Sequence, residues 1–284
     1  MTVKLAACLL SLSLAASVSA ASLPIFDAHL HYSVQDARRF GPDEILAILE
    51  RNGIVRAVVS GAPHSGIELL YAQAPERIVP LLSVYREASD KRTWMHDRGL
   101  PARVERWLQA DIYRGIGELH IFAEDRDSQV LARLVAVAAD KGLVLQIHGD
   151  PEVIDRVFDL APEATVLWAH LGTRPQPGVL REMLARYPEG LYVDTSVRDE
   201  RIAPNGRLRP EWRRLFLDYE DRILVGVDTH WVRRWARFDA VVARIRRWLR
   251  QLPAATARKL ACANAERLFT APARDQPEAL CGRE

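Results

Sequence analysis

Eight short apolar runs recur along this chain, and each is followed by an amphipathic segment with helical spacing. The runs are rich in β-branched residues, and several are apolar throughout, as parallel strands buried on both faces are. The runs are Pro24–His31, Arg56–Ala62, Ile78–Tyr85, Arg114–Ile121, Leu143–His148, Thr165–Leu171, Leu191–Ser196 and Ile223–Asp228. This alternation predicts a series of βα units around a parallel sheet.

Helix signals between the runs support this interpretation. The segment that opens at Pro42 stops before Gly53, and the segment that opens at Ser128 stops before Gly142, as helix-ending glycines predict. A final helix is predicted from about Ala254 to Phe269, after the eighth run.

Eight βα units in a chain of 284 residues match a (β/α)₈ TIM barrel in the α/β class. The alternative, an open doubly wound sheet, would carry a Gly-rich phosphate turn after its first strand. The sequence Asp27-Ala-His-Leu-His31 stands there instead. We therefore predict a single barrel domain over residues 21–270, with a closing C-terminal helix and a tail over residues 271–284.

The first 20 residues have the three parts of a secretory signal peptide. Lys4 supplies the positive charge, an apolar stretch follows, and Val18-Ser-Ala20 offers the small residues that precede a cleavage site. The apolar stretch is too short for a permanent membrane anchor. We expect an exported protein, periplasmic or secreted, without a stable membrane anchor.

Cleavage after Ala20 would leave Cys262 and Cys281 as the only cysteines. In an oxidising compartment these two residues can form a disulfide that ties the tail to the last helix. The alternative is a buried Cys262 and a Cys281 that lies in a mobile tail. Sequence does not give the Cα separation that decides between them.

The charge balance of the chain indicates which kind of partner it binds. The formal net charge is +2, and the arginine-rich stretch at 244–250 alternates with apolar residues as a solvated helix face does. Binding to a nucleic acid backbone requires clustered Lys and Arg. We therefore predict a small-molecule substrate and no nucleic acid partner. The sequence does not decide whether the chain forms a homo-oligomer.

Histidines are concentrated where the predicted strands end. Five of the eight histidines lie at or within two residues of such an end, namely His29, His31, His120, His148 and His170, and two carboxylates, Glu118 and Asp228, share this placement. The carboxyl ends of barrel strands surround the active site. One such histidine alone is more often a satisfied core or loop residue. Together, imidazoles and carboxylates on one open site suit Zn²⁺ or a similar divalent ion.

Five motifs in this order resemble the amidohydrolase superfamily, particularly its amidohydrolase-related branch of metal-dependent hydrolases and decarboxylases. They are Asp27-Ala-His-Leu-His31, Gln146-Ile-His-Gly-Asp150, Trp168-Ala-His-Leu-Gly172, Gly226-Val-Asp-Thr229 and the ending Asn264-Ala-Glu-Arg-Leu-Phe269. The resemblance covers essentially the whole chain after the signal peptide. It implies a barrel hydrolase that binds one or two divalent ions, most often Zn²⁺.

The resemblance also implies roles for individual residues. His29, His31 and His148 would bind the metal, and Asp228 would ligate it or lie beside its water and shuttle the proton. His170 would be a second-metal ligand or a base that orients the substrate.

Strand four departs from the binuclear pattern with a bridging carboxylated lysine. Glu118 stands at that point, in Gly115-Ile-Gly-Glu-Leu-His120. Similar motifs occur in TatD-like relatives, where the glutamate ligates metal, so Glu118 would bridge two ions or hold one.

The chemistry follows from the charges. A divalent ion lowers the pKa of its bound water to about 7, which makes hydroxide available at neutral pH. Asp228 would accept the proton and pass it to the leaving group.

Rim residues are candidates for substrate binding. Arg174 and Arg198 lie just beyond strands six and seven, where they would clamp a carboxylate or phosphate, and the alternative is surface pairing with neighbouring acids. Trp231 would line the pocket or pack on a helix.

We expect a hydrolase that acts on a small ester, lactone or amide. The alternatives are non-oxidative decarboxylation of a small unsaturated or aromatic acid, a TatD-like phosphoesterase, and a binding protein that has lost the chemistry. The near-neutral charge argues against a polyanionic substrate.

Overall fold

A single sheet of eight parallel strands organises the molecule. The computed structural model describes residues 23–270 and Cys281, and the predicted signal peptide and nearly all of the predicted tail lie outside this part. The strands pair in chain order, from β1 to β8. They are β1 (Ile25–His31), β2 (Ile54–Ser60), β3 (Ile78–Leu82), β4 (Gly115–Ile121), β5 (Val144–Gly149), β6 (Thr165–Trp168), β7 (Leu191–Asp194) and β8 (Ile223–Leu224).

The first strand and the segment after β8 close this sheet into a barrel. The backbone N–H of Ala28 donates to the carbonyl of Val225 over 2.8 Å, and that of Asp228 donates to the carbonyl of His29 over 2.7 Å. The buried Asp27 Oδ1 also accepts a hydrogen bond of 3.1 Å from the Val227 N–H. The predicted (β/α)₈ barrel is confirmed.

Helices surround the barrel and bury their apolar faces against the strands. They are α1 (Val34–Ala37), α2 (Pro42–Arg51), α3 (Ser65–Gln73), α4 (Leu100–Trp107), α5 (Gln129–Lys141), α6 (Pro151–Leu160), α7 (Pro177–Arg186), α8 (Asp199–Ile202), α9 (Pro210–Asp218), α10 (Val232–Trp235), α11 (Phe238–Leu249), α12 (Ala254–Arg258) and α13 (Asn264–Phe269). Ser128 caps α5, and Gly142 ends it in the left-handed conformation (φ 62°), as predicted.

Several strands end before the predicted runs do, and in two of them a left-handed turn follows. The sixth ends at Trp168 because His170 and Leu171 adopt left-handed backbone angles (φ 61° and 56°), which no strand can continue. The eighth ends at Leu224, and Asp228 is also left-handed (φ 58°). In both cases the predicted metal ligand, His170 or Asp228, lies on a turn beyond the end of the strand.

The closing helix follows the prediction, with one interruption. A π-helical turn over Lys259–Ala263 joins α12 to α13. Asn264 opens α13, and its buried side-chain amide donates to the carbonyls of Glu220 (2.7 Å) and Ile223 (2.8 Å). These bonds hold the chain that enters β8, which gives the Asn264–Phe269 motif a structural role.

Cys262 and Cys281 form a disulfide, with Cα atoms 5.6 Å apart, so the first of the two alternatives for these residues holds. Both cysteines are buried. Among the described residues, no helix has the length and apolar character that crossing a membrane requires.

Candidate metal centre

The predicted ligand residues lie together at the carboxyl end of the barrel. The side chains of His29, His31, Glu118 and His170 come within 4 Å of at least one other member of the set. His148 and Asp228 complete the set through contacts with Glu118 and His31. Residues from five strands or strand ends, far apart in sequence, therefore meet at one place.

Glu118 is the central residue of this cluster, and it is buried. Its Oε1 atom lies 3.0 Å from His148 Nδ1 and 2.9 Å from His170 Nε2. Its Oε2 atom lies 3.4 Å from His31 Nε2 and 3.8 Å from His29 Nε2. One carboxylate thus offers a separate oxygen to each of two pairs of imidazoles.

A second carboxylate, that of Asp228, lies beside the pair formed by His29 and His31. The Nε2 atoms of His29 and His31 are 3.2 Å apart, and Asp228 Oδ1 lies 3.3 Å from His31 Nε2. These three residues present ligand atoms within 4.8 Å of one another.

The second group is formed by Glu118, His120 and His148, which present ligand atoms within the same distance. We expected His148 to share a ligand set with His29 and His31. The structure places it instead on the other side of Glu118, because its Nδ1 atom faces Oε1 rather than Oε2.

Backbone turns direct two of these side chains into the centre. His170 and Asp228 are non-glycine residues with φ of 61° and 58°, a conformation that costs free energy and persists only where neighbours impose it. Arg198 is one such neighbour, since its Nε atom donates to the His170 carbonyl over 2.9 Å and its Nη2 atom to the Gly172 carbonyl over 3.3 Å.

A second ring of residues fixes the histidines. His29 Nδ1 lies 3.0 Å from Asp194 Oδ2, and His31 Nδ1 lies 2.9 Å from Ser60 Oγ. Ser196 donates its hydroxyl hydrogen to Asp194 Oδ1 and accepts from His170 Nδ1, which is 2.7 Å away. Partners of this kind set the tautomer of a metal-binding imidazole.

Three of these partners, Asp194, Ser196 and Ser60, were not among the residues predicted from the sequence. The signal for Asp194 was present, because this carboxylate lies near the end of the seventh run, in Val193-Asp-Thr-Ser196, much as Asp228 ends the eighth. For the two serines we find no such signal, since serine is common in loops.

The donor set fits a divalent cation. The Nδ1 atoms of His29 and His170 face Asp194 and Ser196, so each ring, when it is neutral with its hydrogen on Nδ1, directs the lone pair of Nε2 at acceptor-only oxygens of Glu118. Tetrahedral Zn²⁺ with bonds of about 2.05 Å holds its ligand atoms about 3.3 Å apart. The separations of His31 Nε2 from His29, Asp228 and Glu118, which are 3.2 to 3.4 Å, agree with this value, and the distance from His29 Nε2 to Glu118 Oε2 is longer, at 3.8 Å.

The electrostatics lead to the same conclusion. Burial opposes protonation of His29, but the charges of Asp194 and Glu118 raise its pKa well above the usual value. Burial also opposes ionisation of Glu118, yet His29 and His120 hold its pKa well below the usual range. The centre therefore favours ionised carboxylates and attracts positive charge.

A cavity of about 430 Å³ adjoins this centre. His31 and Glu118 are among its lining residues, together with the basic residues Arg38, Arg86 and Lys91. This volume suits a small molecule.

The three predicted substrate-binding residues lie away from this cavity lining. Arg174 is exposed and lies 3.9 Å from Glu152, which is the surface pairing we weighed as its alternative. Arg198 holds the His170 turn, as described above. Trp231 is 66% exposed and lines an adjoining depression together with His230.

His230 is a further residue of the site. Its Nδ1 atom lies 3.0 Å from Asp228 Oδ2, and its backbone N–H donates to Asp228 Oδ1 over 3.1 Å. It lines the main cavity.

Comparison with solved structures finds similar barrels at low sequence identity, which shows the fold alone. An amidohydrolase from Burkholderia multivorans with bound HEPES is 18% identical, with a TM-score of 0.57, over 87% of this chain and 99% of that chain. A probable 2-pyrone-4,6-dicarboxylic acid hydrolase from Acinetobacter baumannii is 12% identical, with a TM-score of 0.62, over 86% and 98%. A TatD homolog from Escherichia coli is 14% identical, with a TM-score of 0.60, over 87% and 98%.

No curated protein sequence matches the chain. A family model described as amidohydrolase matches residues 26–270, which is nearly all of the described structure. The resemblance drawn from the five motifs is therefore confirmed: this chain belongs to the amidohydrolase family of metal-dependent hydrolases.

Proposed function

We propose that this protein hydrolyses a small ester, lactone or amide, with a centre of two divalent ions, most simply Zn²⁺, that share Glu118. The observation that carries the proposal is the division of the Glu118 carboxylate: Oε1 faces His148 and His170, and Oε2 faces His29 and His31. A carboxylate placed between two sets of nitrogen ligands is suited to bridge two ions.

The residues around the centre support a hydrolytic mechanism. When bound, divalent ions would supply an electrophile and would lower the pKa of water. Asp228 lies beside His31, and it is the group we assign to accept the proton released in hydrolysis and to pass it to the leaving group. His230, which is hydrogen-bonded to Asp228 and lines the cavity, holds this carboxylate in position.

A second candidate reaction is hydrolysis of a small phosphoester. Glu118 favours it, because a strand-four glutamate is the feature shared with TatD-like proteins. Arg38, Arg86 and Lys91 in the cavity walls also suit an anionic group. The near-neutral charge of the chain still argues against a polymeric polyanion.

Export is part of the proposal. The Cys262–Cys281 disulfide supports it, because such bonds persist in oxidising compartments such as the periplasm. Fractionation of the source cells, with the first residue of the mature chain determined by mass spectrometry, tests both the location and the cleavage after Ala20.

The decisive experiment combines metal analysis with a substrate panel. The purified protein is assayed for bound metal and then for hydrolysis of nitrophenyl esters, aliphatic lactones, nitrophenyl phosphate and an aromatic acid for decarboxylation. We expect two divalent ions per chain, and ester or lactone hydrolysis that chelation removes and Zn²⁺, Mn²⁺ or Co²⁺ restores. Protein that binds no divalent ion, or activity that survives complete chelation, would refute the proposal.

Two variants test the assignment of roles. His148→Ala should lose metal from the Glu118–His148 side while the barrel stays folded. Asp228→Asn should keep much of its metal and lose most turnover, whereas Asp218→Asn, an exposed surface change, should alter neither. Wild-type turnover in Asp228→Asn would remove its role in proton transfer.

A further inference from the structure

His120 is the one imidazole of the cluster that the proposed ligand set leaves without a role. It follows Glu118 by two residues on β4, so both side chains point to the same side of the strand. Its Cα is also the cross-strand partner of His148 on β5. The arrangement on β4, a ligand residue followed by a histidine two positions later, repeats that of His29 and His31 on β1.

The ring of His120 lies against the second half of the centre. It stacks on the His148 ring, with centroids 4.4 Å apart and planes at 20°. Its Nε2 atom lies 3.6 Å from Glu118 Oε2, the oxygen that also faces His29 and His31, so His120 lies between the two sides of the centre. This separation is too long for a direct hydrogen bond and close to the distance of about 3.3 Å between two ligands of one tetrahedral ion.

The other side of His120 is held by Tyr85. The Tyr85 hydroxyl oxygen accepts a hydrogen bond of 2.7 Å from the His120 backbone N–H, and it lies 3.2 Å from His120 Nδ1. The indole N–H of Trp94 donates to the His120 carbonyl over 2.8 Å. Tyr85 and Trp94 are both buried, so the position of His120 is fixed by packing as well as by these bonds.

The hydroxyl of Tyr85 can complete this arrangement in two ways, since it has two acceptor positions and one hydrogen. If Nδ1 carries the ring hydrogen, Tyr85 accepts twice from His120, and the lone pair of Nε2 faces Glu118 and the centre. If Tyr85 donates to Nδ1, Nε2 carries the hydrogen and cannot bind a metal. The absence of a hydrogen bond from Nε2 to Glu118, at 3.6 Å, favours the first arrangement.

We propose that His120 is an additional metal ligand, in the group that it forms with Glu118 and His148, and that Tyr85 is the residue that positions it. This inference rests on the proposed metal-dependent function. In this arrangement both acceptor positions of Tyr85 are used, and its own hydrogen is available to the cavity that it lines. Tyr85 is then a hydrogen-bond donor for a substrate oxygen beside the centre.

Metal titration tests the proposal without reference to turnover. The purified full chain is freed of metal by chelation and titrated with Co²⁺, and both stoichiometry and visible absorption are recorded. The variants are His120→Gln and Tyr85→Phe. The matched controls are His96→Gln, an exposed histidine beside Asp125, and Tyr71→Phe, at the opposite end of the barrel.

We expect the weakest-bound Co²⁺ equivalent of His120→Gln to lose affinity by more than tenfold and to show an altered absorption spectrum. Tyr85→Phe should lose about 10–100-fold, the usual effect of removing a residue that orients a ligand. Both controls should match the wild type. Circular dichroism of the metal-free variants establishes that each is folded.

The possible outcomes separate this inference from the proposed function. A wild-type chain that binds no Co²⁺ overturns both. A wild-type chain that binds Co²⁺ and is catalytically active, with His120→Gln unchanged in affinity and spectrum, overturns only the role of His120 as a ligand. A loss of turnover in His120→Gln without any change in metal binding also overturns it, because His120 would then act on the substrate.

Discussion

The Nδ1 atom of His29 donates a hydrogen bond of 3.0 Å to Oδ2 of Asp194, and both residues are fully buried. Burial opposes ionisation of Asp194, but His29, and after it His170 and Ser196, lower its pKa below the usual value. The carboxylate therefore stays charged and accepts the hydrogen. This fixes the His29 tautomer and directs Nε2 at the candidate metal centre.

Asp194→Asn tests this relationship. The amide keeps the shape of the side chain but removes the charge that fixes the His29 tautomer. We expect metal affinity to fall by about 10–100-fold, as for other residues that orient a ligand. Calorimetric titration of the metal-free protein with Zn²⁺ measures the change. Asp239→Asn, at an exposed ion pair with Arg51, is the control, and equal affinities for the two variants would contradict the prediction.

Gly226→Ala tests how closely the chain packs behind His29. A Cβ at position 226 would lie 2.9 Å from the His29 Cβ and 3.1 Å from the Ser196 Cβ, so both residues must shift. We expect the free energy of unfolding to fall by about 1–3 kcal/mol, as overpacking usually costs, and metal affinity to fall with it. Chemical denaturation of the metal-free protein measures the first effect.

The control for that variant is Gly178→Ala on α7, where an added Cβ meets nothing within 4 Å. It should leave metal binding unchanged and hold stability level or raise it slightly. Equal loss of stability in the two variants would show that close packing at Gly226 is not the cause.

Arg198→Gln separates two roles for this residue. If Arg198 holds the His170 turn, the variant loses two hydrogen bonds from a charged donor, and stability falls by about 1.5–3 kcal/mol together with weaker metal binding. If Arg198 instead clamps a substrate anion, metal binding stays at the wild-type level and only KM rises. We expect the first result, and Arg174→Gln, at an exposed ion pair, should change neither stability nor metal content.

Asp199→Asn tests a pH effect away from the centre. Burial raises the pKa of Asp199, although the hydrogen bond from Trp248 Nε1, 3.0 Å long, opposes this. A raised pKa in the folded state means that the wild type loses stability as pH rises from about 4, the unfolded value, through the folded value. The asparagine variant keeps an oxygen for Trp248 and does not ionise.

We therefore expect the unfolding free energy of Asp199→Asn, relative to the wild type, to increase between pH 4 and pH 7. Urea denaturation at several pH values measures it. Asp218→Asn, whose carboxylate is exposed, provides the comparison, and a pH-independent difference for Asp199→Asn would remove the proposed cause.

The architecture could be predicted from the sequence because burial determines which residues are apolar. Strands covered on both faces must be apolar throughout, so the eight runs identify them. The helix stop at Gly142 was equally clear, since a left-handed residue with no side chain is the cheapest way to end a helix. The strand ends at His170 and Asp228 were less clear, because a left-handed histidine or aspartate leaves no pattern in the sequence.

The sequence predicted which residues form the candidate site better than it predicted how they are arranged around Glu118. The histidines and acids at strand ends meet, but the side of Glu118 on which His148 lies depends on which ring nitrogen faces inward. Spacing does not determine this choice. Asp194 was missed although it ends a strand, and Tyr85 was missed because a tyrosine in an apolar run is equally typical of the core.

The seam of the barrel has a consequence for assembly. His31 ends the first strand and Asp228 follows the last, yet their ligand atoms lie 3.3 Å apart across the junction that completes the ring. An ion held by both would fasten the two ends of the fold to each other, so its binding free energy adds to the stability of the closed ring. A truncated chain that lacks β1 or the segment after β8 would retain most strands but could not hold an ion between His31 and Asp228.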